Sequence, residues 1–232
     1  MKIVFDIETD GLVSTRIWVM SYFIIGEHKN IYEVKSTSSY EDMKELFAAA
    51  DTLIGHNITC FDIPAIEKVL NIKIKARIID TLWLSYYLYP RRNTHNLDDY
   101  GKDFGIQKPP IDDWENLSLE EYTHRCTEDV KINTYLWGKM QKDLKDLYIH
   151  YPSQVDKLID YISFKAKIIA EQEKYKLKLN IPYLQERLKE LNSIYDVAYK
   201  NLKTSMPKIP IEKTVNRPTK IYKKDGSFTK VY

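Results

Sequence analysis

The chain has 232 residues, of which 44% are hydrophobic and 29% charged. That balance excludes a disordered polymer and is enough for one sizeable core with a smaller appendage. No apolar run approaches the ~20 residues of a membrane span. The first residues enter an apolar run directly, so no signal peptide is expected. Cys60 and Cys126 stand alone without CxxC spacing, which argues against structural zinc or a disulfide framework and for a cytoplasmic setting, the host cytoplasm for a viral protein. The net charge of +2 hides an asymmetry. From Lys200 onward nine basic residues face only Glu212 and Asp225, leaving that tail at +7 and the remainder at −5. A cationic tail on an anionic body fits a polyanionic partner; a solubilising terminus is the plainer explanation.

Three strand-like runs come first, at residues 2–7, 16–25 and 30–35, with turns at Gly11 and at residues 26–29. An amphipathic helix carrying Met43, Leu46 and Phe47 follows, with Ser39 as its cap. Thr52–Gly55 reads as a short strand ending at His56-Asn57. Next comes a helix with Ile63, Ile66, Val69 and Leu70 on one face, where Pro64 is tolerated in the first turn. Arg77–Ile79 is a fifth strand, and Asp80 caps a helix through Tyr89. Pro109-Pro110 marks a loop. Ser118-x-x-Glu121 then matches a capping box opening a helix to about Leu144, with Val130, Ile132, Leu136 and Met140 inward. Tyr151-Pro152-Ser153 breaks the pattern before two further helices, at about 153–175 and 182–204. This order predicts an α/β fold with a mixed five-stranded sheet flanked by helices and a C-terminal helical extension. The expected division is 1–150, a helical extension over 151–206, and a basic, proline-containing tail over 207–232.

Chemistry concentrates in Phe5-Asp6-Ile7-Glu8-Thr9-Asp10-Gly11. Side chains two apart on a strand share a face, so Asp6 and Glu8 point the same way. They repel each other unless a cation sits between their oxygens. Asp62 enters a helix just after Asn57; alone it is an ordinary N-cap, although a helix N-terminus also stabilises the ionised carboxylate. Asp129 lies inside the long helix, where aspartate is a poor helix former and an ion pair with Arg125, one turn earlier, is the plain explanation.

Asp-x-Glu on a first strand, Asn57-x4-Asp62 at a strand–helix junction and a late helical Asp129, in that order, resemble the three motifs of the DEDD (DnaQ-like) 3′–5′ exonucleases, which have a ribonuclease H-like fold. Ile79-Asp80-Thr81-Leu82 and Thr94-His95-Asn96-Leu97-Asp98-Asp99-Tyr100-Gly101 further resemble the proofreading domain of phage family A DNA polymerases. The resemblance covers about residues 1–145. It implies that Asp6, Glu8, Asp62 and Asp129 are catalytic and hold two Mg²⁺ or Mn²⁺ ions about 3.5–4 Å apart, with Asp6 bridging. It also implies that Thr9, Leu12, Asn57 and Phe61 bind the terminal nucleotide, for which turn and core packing are the plain alternatives.

The general base departs from the family pattern. Where one subclass has tyrosine, four residues before the last aspartate, this chain has Arg125. His124 fits the spacing of the other subclass. On a continuous helix, however, it lies about 140° around from Asp129. It serves as base only if the helix starts late or bends; otherwise water, metal and Arg125 act without one, and His124 is solvent-exposed.

The function implied is hydrolysis at the 3′ end of single-stranded or frayed DNA, in replication proofreading, with no membrane partner and with a separate DNA polymerase subunit as a possible partner. The alternatives are an RNA exonuclease of the same superfamily and a non-catalytic DNA-binding or polymerase-docking subunit.

Overall fold

The computed structural model describes residues 1–27, 30, 33–109 and 117–207. Five strands form one mixed sheet in the order β3-β2-β1-β4-β5. The strands are β1 (Lys2–Thr9), β2 (Ile17–Ile25), β3 (Lys35–Thr37), β4 (Thr52–Gly55) and β5 (Arg77–Asp80). β1 pairs antiparallel with β2 and parallel with β4, β2 antiparallel with β3, and β4 parallel with β5. The helices are α1 (Tyr40–Ala49), α2 (Asp62–Val69), α3 (Thr81–Leu88), α4 (Leu97–Phe104), α5 (Leu119–Leu147), α6 (Gln154–Tyr175) and α7 (Ile181–Ser205). This is the expected ribonuclease H-like mixed sheet flanked by helices.

The central strand divides two cores by its alternation. Ile3, Phe5 and Ile7 pack with Met43 and Phe47 of α1 and Ile66 of α2. Val4, on the opposite face, packs with Val130, Ile132 and Leu136 of α5 and Leu84 of α3. Fully buried aliphatic and aromatic side chains of this kind each contribute about 1.5–3 kcal/mol. Asp6 and Glu8 therefore emerge on the α5 side, beyond the apolar part of that face.

The helix ends follow from local chemistry. Ser118 and Glu121 form the expected capping box, Ser39 accepts from the amide of Asp42, and α4 stops at Gly105, whose left-handed φ of 71° places its amide on the carbonyls of Gly101 and Lys102.

Two expectations are corrected. The third strand lies at Lys35–Thr37, later than the apolar pattern at 30–35 indicated. These polar residues are extended because they pair with Met20, Ser21 and Tyr22 in the middle of β2, a partnership with no local signature. Of the expected run, residues 31 and 32 lie outside the described part.

The other concerns the domain boundary expected near 150. The chain forms two compact units, Met1–Lys176 and Leu177–Tyr232, so α6 belongs with the body. Ile159 and Ile162 join its core, Ser163 Oγ donates to the carbonyl of Ile78, and the Arg77 guanidinium spans Asp156 and Asp160 at 2.9 and 2.7 Å. The second unit is described through α7 up to residue 207; the expected basic tail from residue 208 onward lies outside the described residues.

Candidate active site

β1 outruns β4. The parallel pairing covers Lys2, Ile3 and Val4 against Thr52, Leu53 and Ile54, and β4 then ends at Gly55. That glycine is required: an added Cβ would stand 2.1 Å from Ile58 Cγ2 and 3.2 Å from the Phe5 carbonyl. The chain turns through Asn57, at a left-handed φ of 64°, into α2, whose first residue is Asp62. Asp80, at the end of the neighbouring β5, clamps this turn by accepting from the amides of Asn57 and Thr59, each at 2.9 Å. It also caps α3 through Leu82 at 3.1 Å. The sequence pointed to the cap alone; the clamp joins residues far apart in the chain.

On the other side of β1, α5 lies across the sheet. The Cys126 thiol donates to the Asp6 carbonyl at 3.2 Å. One turn on, Asp129 is 6% exposed. Asp6, Glu8 and Asp129 each offer a carboxylate oxygen, and these oxygens lie within 4.8 Å of one another. Asp62 stands outside that trio, yet its charge still repels those of Asp6 and Glu8.

Without a cation the cluster is electrostatically opposed. Burial first, then Asp129, Asp62 and Glu8, hold the Asp6 carboxyl well above the usual carboxylate range, with Lys108 opposing. Burial and then Asp129 push Glu8 up to about 7, against Arg125 and Lys108. Burial and then Asp80 push Asp62 up to about 8; hydrogen bonds from the amides of Asp62 itself and Ile7 act the other way. Asp129 is also raised by burial, against Lys108 and Arg125. In each case the low-dielectric surroundings penalise the ionised form. All four donors are hard carboxylate oxygens, which suit Mg²⁺ or Mn²⁺ better than a softer metal.

Two cations complete the site, and neither of their contacts was legible in the sequence. Lys108 Nζ lies 2.8 Å from Asp129 Oδ1 and 3.5 Å from Asp98 Oδ1. Arg125 Nε lies 3.5 Å from Glu8 Oε1, so the anticipated Arg125–Asp129 partnership gives way to one with the β1 acid.

The structure does not bring His124 to the acids. α5 runs unbroken from Leu119, so neither a late start nor a bend rotates the imidazole inward. The side chain is 62% exposed, and its ring nitrogen is 4.0 Å from Glu128. Tyr122, on the Asp129 face, is buried instead and stacks on Trp18 with centroids 5.8 Å apart.

Of the expected nucleotide contacts, Leu12 is 91% exposed on the turn after β1, and the Thr9 hydroxyl donates to the Gly11 carbonyl within that turn. Asn57 and Phe61 are half-buried in the β4–α2 connection, where the Phe61 amide donates to the Asn57 carbonyl. His95 is buried in a network with Ser85 and Tyr100, a packing role.

A family model of the RNase H superfamily (RNase_H_2) matches residues 3–115. Among curated proteins, the DNA polymerase III PolC-type of Listeria innocua is 34% identical over 116 residues, covering 48% of this chain and 7% of the polymerase. Its Bacillus subtilis counterpart is 32% identical over 111 residues, with 46% and 7% covered. The chain thus spans a small fraction of these relatives. Among solved structures, Brucella melitensis NrnC with bound Mg²⁺ superposes with a TM-score of 0.53 at 15% identity, covering 72% of this chain and 84% of NrnC. No helix among the described residues is long and apolar enough to cross a membrane. With the acidic residues of β1 and α5 converging on one sheet face, the chain carries a ribonuclease H-like fold.

Proposed function

We propose that the chain is a metal-dependent 3′–5′ exonuclease that hydrolyses phosphodiester bonds at the 3′ end of single-stranded or frayed DNA, in proofreading for a DNA polymerase. The observation that carries this reading is the meeting of Asp6, Glu8 and Asp129 oxygens within 4.8 Å in a buried site. Such a group is stable as anions only around a cation. Asp6, Glu8, Asp62 and Asp129 are the residues that hold it. When bound, a divalent ion polarises a phosphoryl oxygen and lowers the pKa of a bound water.

The chain's own residues supply the rest. Asp6 is central, since it feels all three other acids. Arg125, beside Glu8, brings a planar donor fork suited to a substrate phosphate. The exposed Leu12 offers an apolar edge for the terminal base, with Thr9, Asn57 and Phe61 as the further proposed contacts. With His124 out on the solvent side of α5, water activation proceeds without that imidazole.

The choice of DNA is supported by the sequence relatives, which are DNA polymerases; the likeness found is to these bacterial enzymes rather than to phage family A polymerases. The test uses 3′-labelled and 5′-labelled single-stranded DNA and RNA with Mg²⁺ or Mn²⁺, comparing wild type with Asp6→Ala. Stepwise shortening of DNA from the 3′ end, abolished in Asp6→Ala, is the expected result. Preferential RNA shortening assigns the chain to RNA, and no degradation under either metal leaves a binding or docking subunit.

A further inference from the structure

One buried hydroxyl ties together the two segments that carry Asp62 and Asp129. Thr81, the first residue of α3, is fully buried. Its Oγ1 donates to Asn133 Oδ1 of α5 at 2.7 Å and shares that proton with the Gly55 carbonyl, 3.1 Å away at the end of β4. His56, the next residue of the turn, brings its Nδ1 to 2.9 Å from the same oxygen. Asn133 Oδ1 and the Gly55 carbonyl only accept, so the hydroxyl proton is committed and the imidazole donates from Nδ1. Burial pushes the His56 ring down to about 4, which leaves it uncharged at neutral pH with one N–H to give.

The partners of this hydroxyl belong to opposite sides of the acidic site. On one side, Gly55 and His56 lead into the turn that Asp80, immediately before Thr81, clamps through the amides of Asn57 and Thr59. That turn delivers Asp62. On the other side, Asn133 is 2% exposed and lies one helical turn beyond Asp129, so the two side chains share a face of α5. Val130, Ile132 and Leu136 hold α5 on the sheet, but apolar burial is non-directional and tolerates a small slide or roll of the helix. The Thr81–Asn133 bond tolerates much less, because a hydrogen bond weakens steeply with distance and angle and is costly to leave unmade in a buried place. Metal ligation has little slack either, with donor atoms held within about 0.2 Å of their preferred distances.

Resting on the metal-dependent reading above, we propose that Thr81 and Asn133 are positioning residues of the acidic site. Their hydrogen bond fixes the register of α5 against the β4–α2 turn, and so holds Asp129 at the distance from Asp6 and Glu8 that a bound cation needs. Among the described residues neither side chain hydrogen-bonds to any of the four acids. Their effect therefore travels through the backbones of α5 and of the turn.

Two measurements on the whole chain test this: Mn²⁺ affinity by calorimetry without nucleic acid, and kcat and KM on 3′-labelled single-stranded DNA. Thr81→Val and Asn133→Leu should each weaken Mn²⁺ binding and lower kcat by about tenfold or more, the lower range for losing a supporting contact around metal ligands. KM should stay within twofold of wild type. The double variant should be no worse than the weaker single one, because both remove the same bond. Thr81→Ser, which keeps the hydroxyl, should restore both quantities. Ile159→Val, a core change on α6, should lower the melting temperature yet leave Mn²⁺ affinity and kcat as in wild type. Should Thr81→Val fail to fold, Asn133→Leu is read by the same limits. Wild-type Mn²⁺ affinity in the folded variants overturns the inference while leaving the metal site standing. Equal losses in Ile159→Val, or losses that multiply in the double variant, overturn it as well. A wild type that binds no Mn²⁺ and degrades no nucleic acid overturns this inference together with the functional reading.

Discussion

Glu8→Gln should make the metal-free protein more stable at alkaline pH. Burial and Asp129 raise the Glu8 carboxyl from its ordinary 4.5 to about 7, a balance that already includes the opposing Arg125 and Lys108. At about 1.4 kcal/mol per pH unit, this corresponds to roughly 3 kcal/mol of strain when Glu8 is ionised in the folded protein. The sign follows from proton counting. Between pH 4.5 and 7 the folded chain holds a proton on Glu8 that the unfolded chain has lost, so stability falls as pH rises through that window.

Glutamine carries no charge at any pH and escapes this loss. In the presence of a chelator at pH 8 the variant should therefore melt above wild type, by about 6–12 °C given 2–4 °C per kcal/mol for a chain of this size. Near pH 4.5 the two should coincide. Adding Mn²⁺ should reverse the order, because wild type gains about 4.1 kcal/mol at a thousandfold excess over Kd, a gain that the variant largely forfeits. Scanning calorimetry from pH 4.5 to 8.5 gives the answer. A variant that melts at or below wild type at pH 8 without metal, or a difference that does not change with pH, refutes the account of an electrostatically opposed site.

Three further outcomes are expected. His124→Ala should retain nearly all of the nuclease rate, since a side chain 62% exposed beside Glu128 is not placed to act as base; a loss of about a hundredfold, the lower range for removing a general base, would restore it to the mechanism. Asp80→Ala removes the acceptor of three backbone amides, those of Asn57, Thr59 and Leu82. It should cost about 2–4 kcal/mol in urea unfolding, and an unchanged midpoint would show that the clamp is dispensable. Gly55→Ala drives a Cβ into the fully buried Ile58, with an expected cost of about 1–3 kcal/mol; a neutral effect would mean that the β4–α2 turn relaxes freely.

How much of this was legible beforehand differs from element to element. β1, β2, β4 and β5, the Ser39 and Ser118 caps and the long α5 follow from patterns within a few neighbouring residues, where period-2 and period-3.6 spacing and side-chain-to-amide bonds act. The shared face of Asp6 and Glu8 has the same local origin. The polar strand β3 has none, because Lys35, Ser36 and Thr37 become extended by pairing with β2. The fate of His124 was half-legible: the sequence set its angle from Asp129 on a straight helix, but only the structure established that α5 runs straight from Leu119.

The sequence by itself determined which acids face together and where the helices begin, because those features depend on bonds and rotations along a short stretch of chain. Tertiary structure alone decided that α5 lays Asp129 over β1, that Asp80 holds the turn before Asp62, and that Lys108 and Arg125 reach the carboxylates. Those contacts join segments distant in the chain, and only the packing of the whole sheet against α5 sets the distances between them.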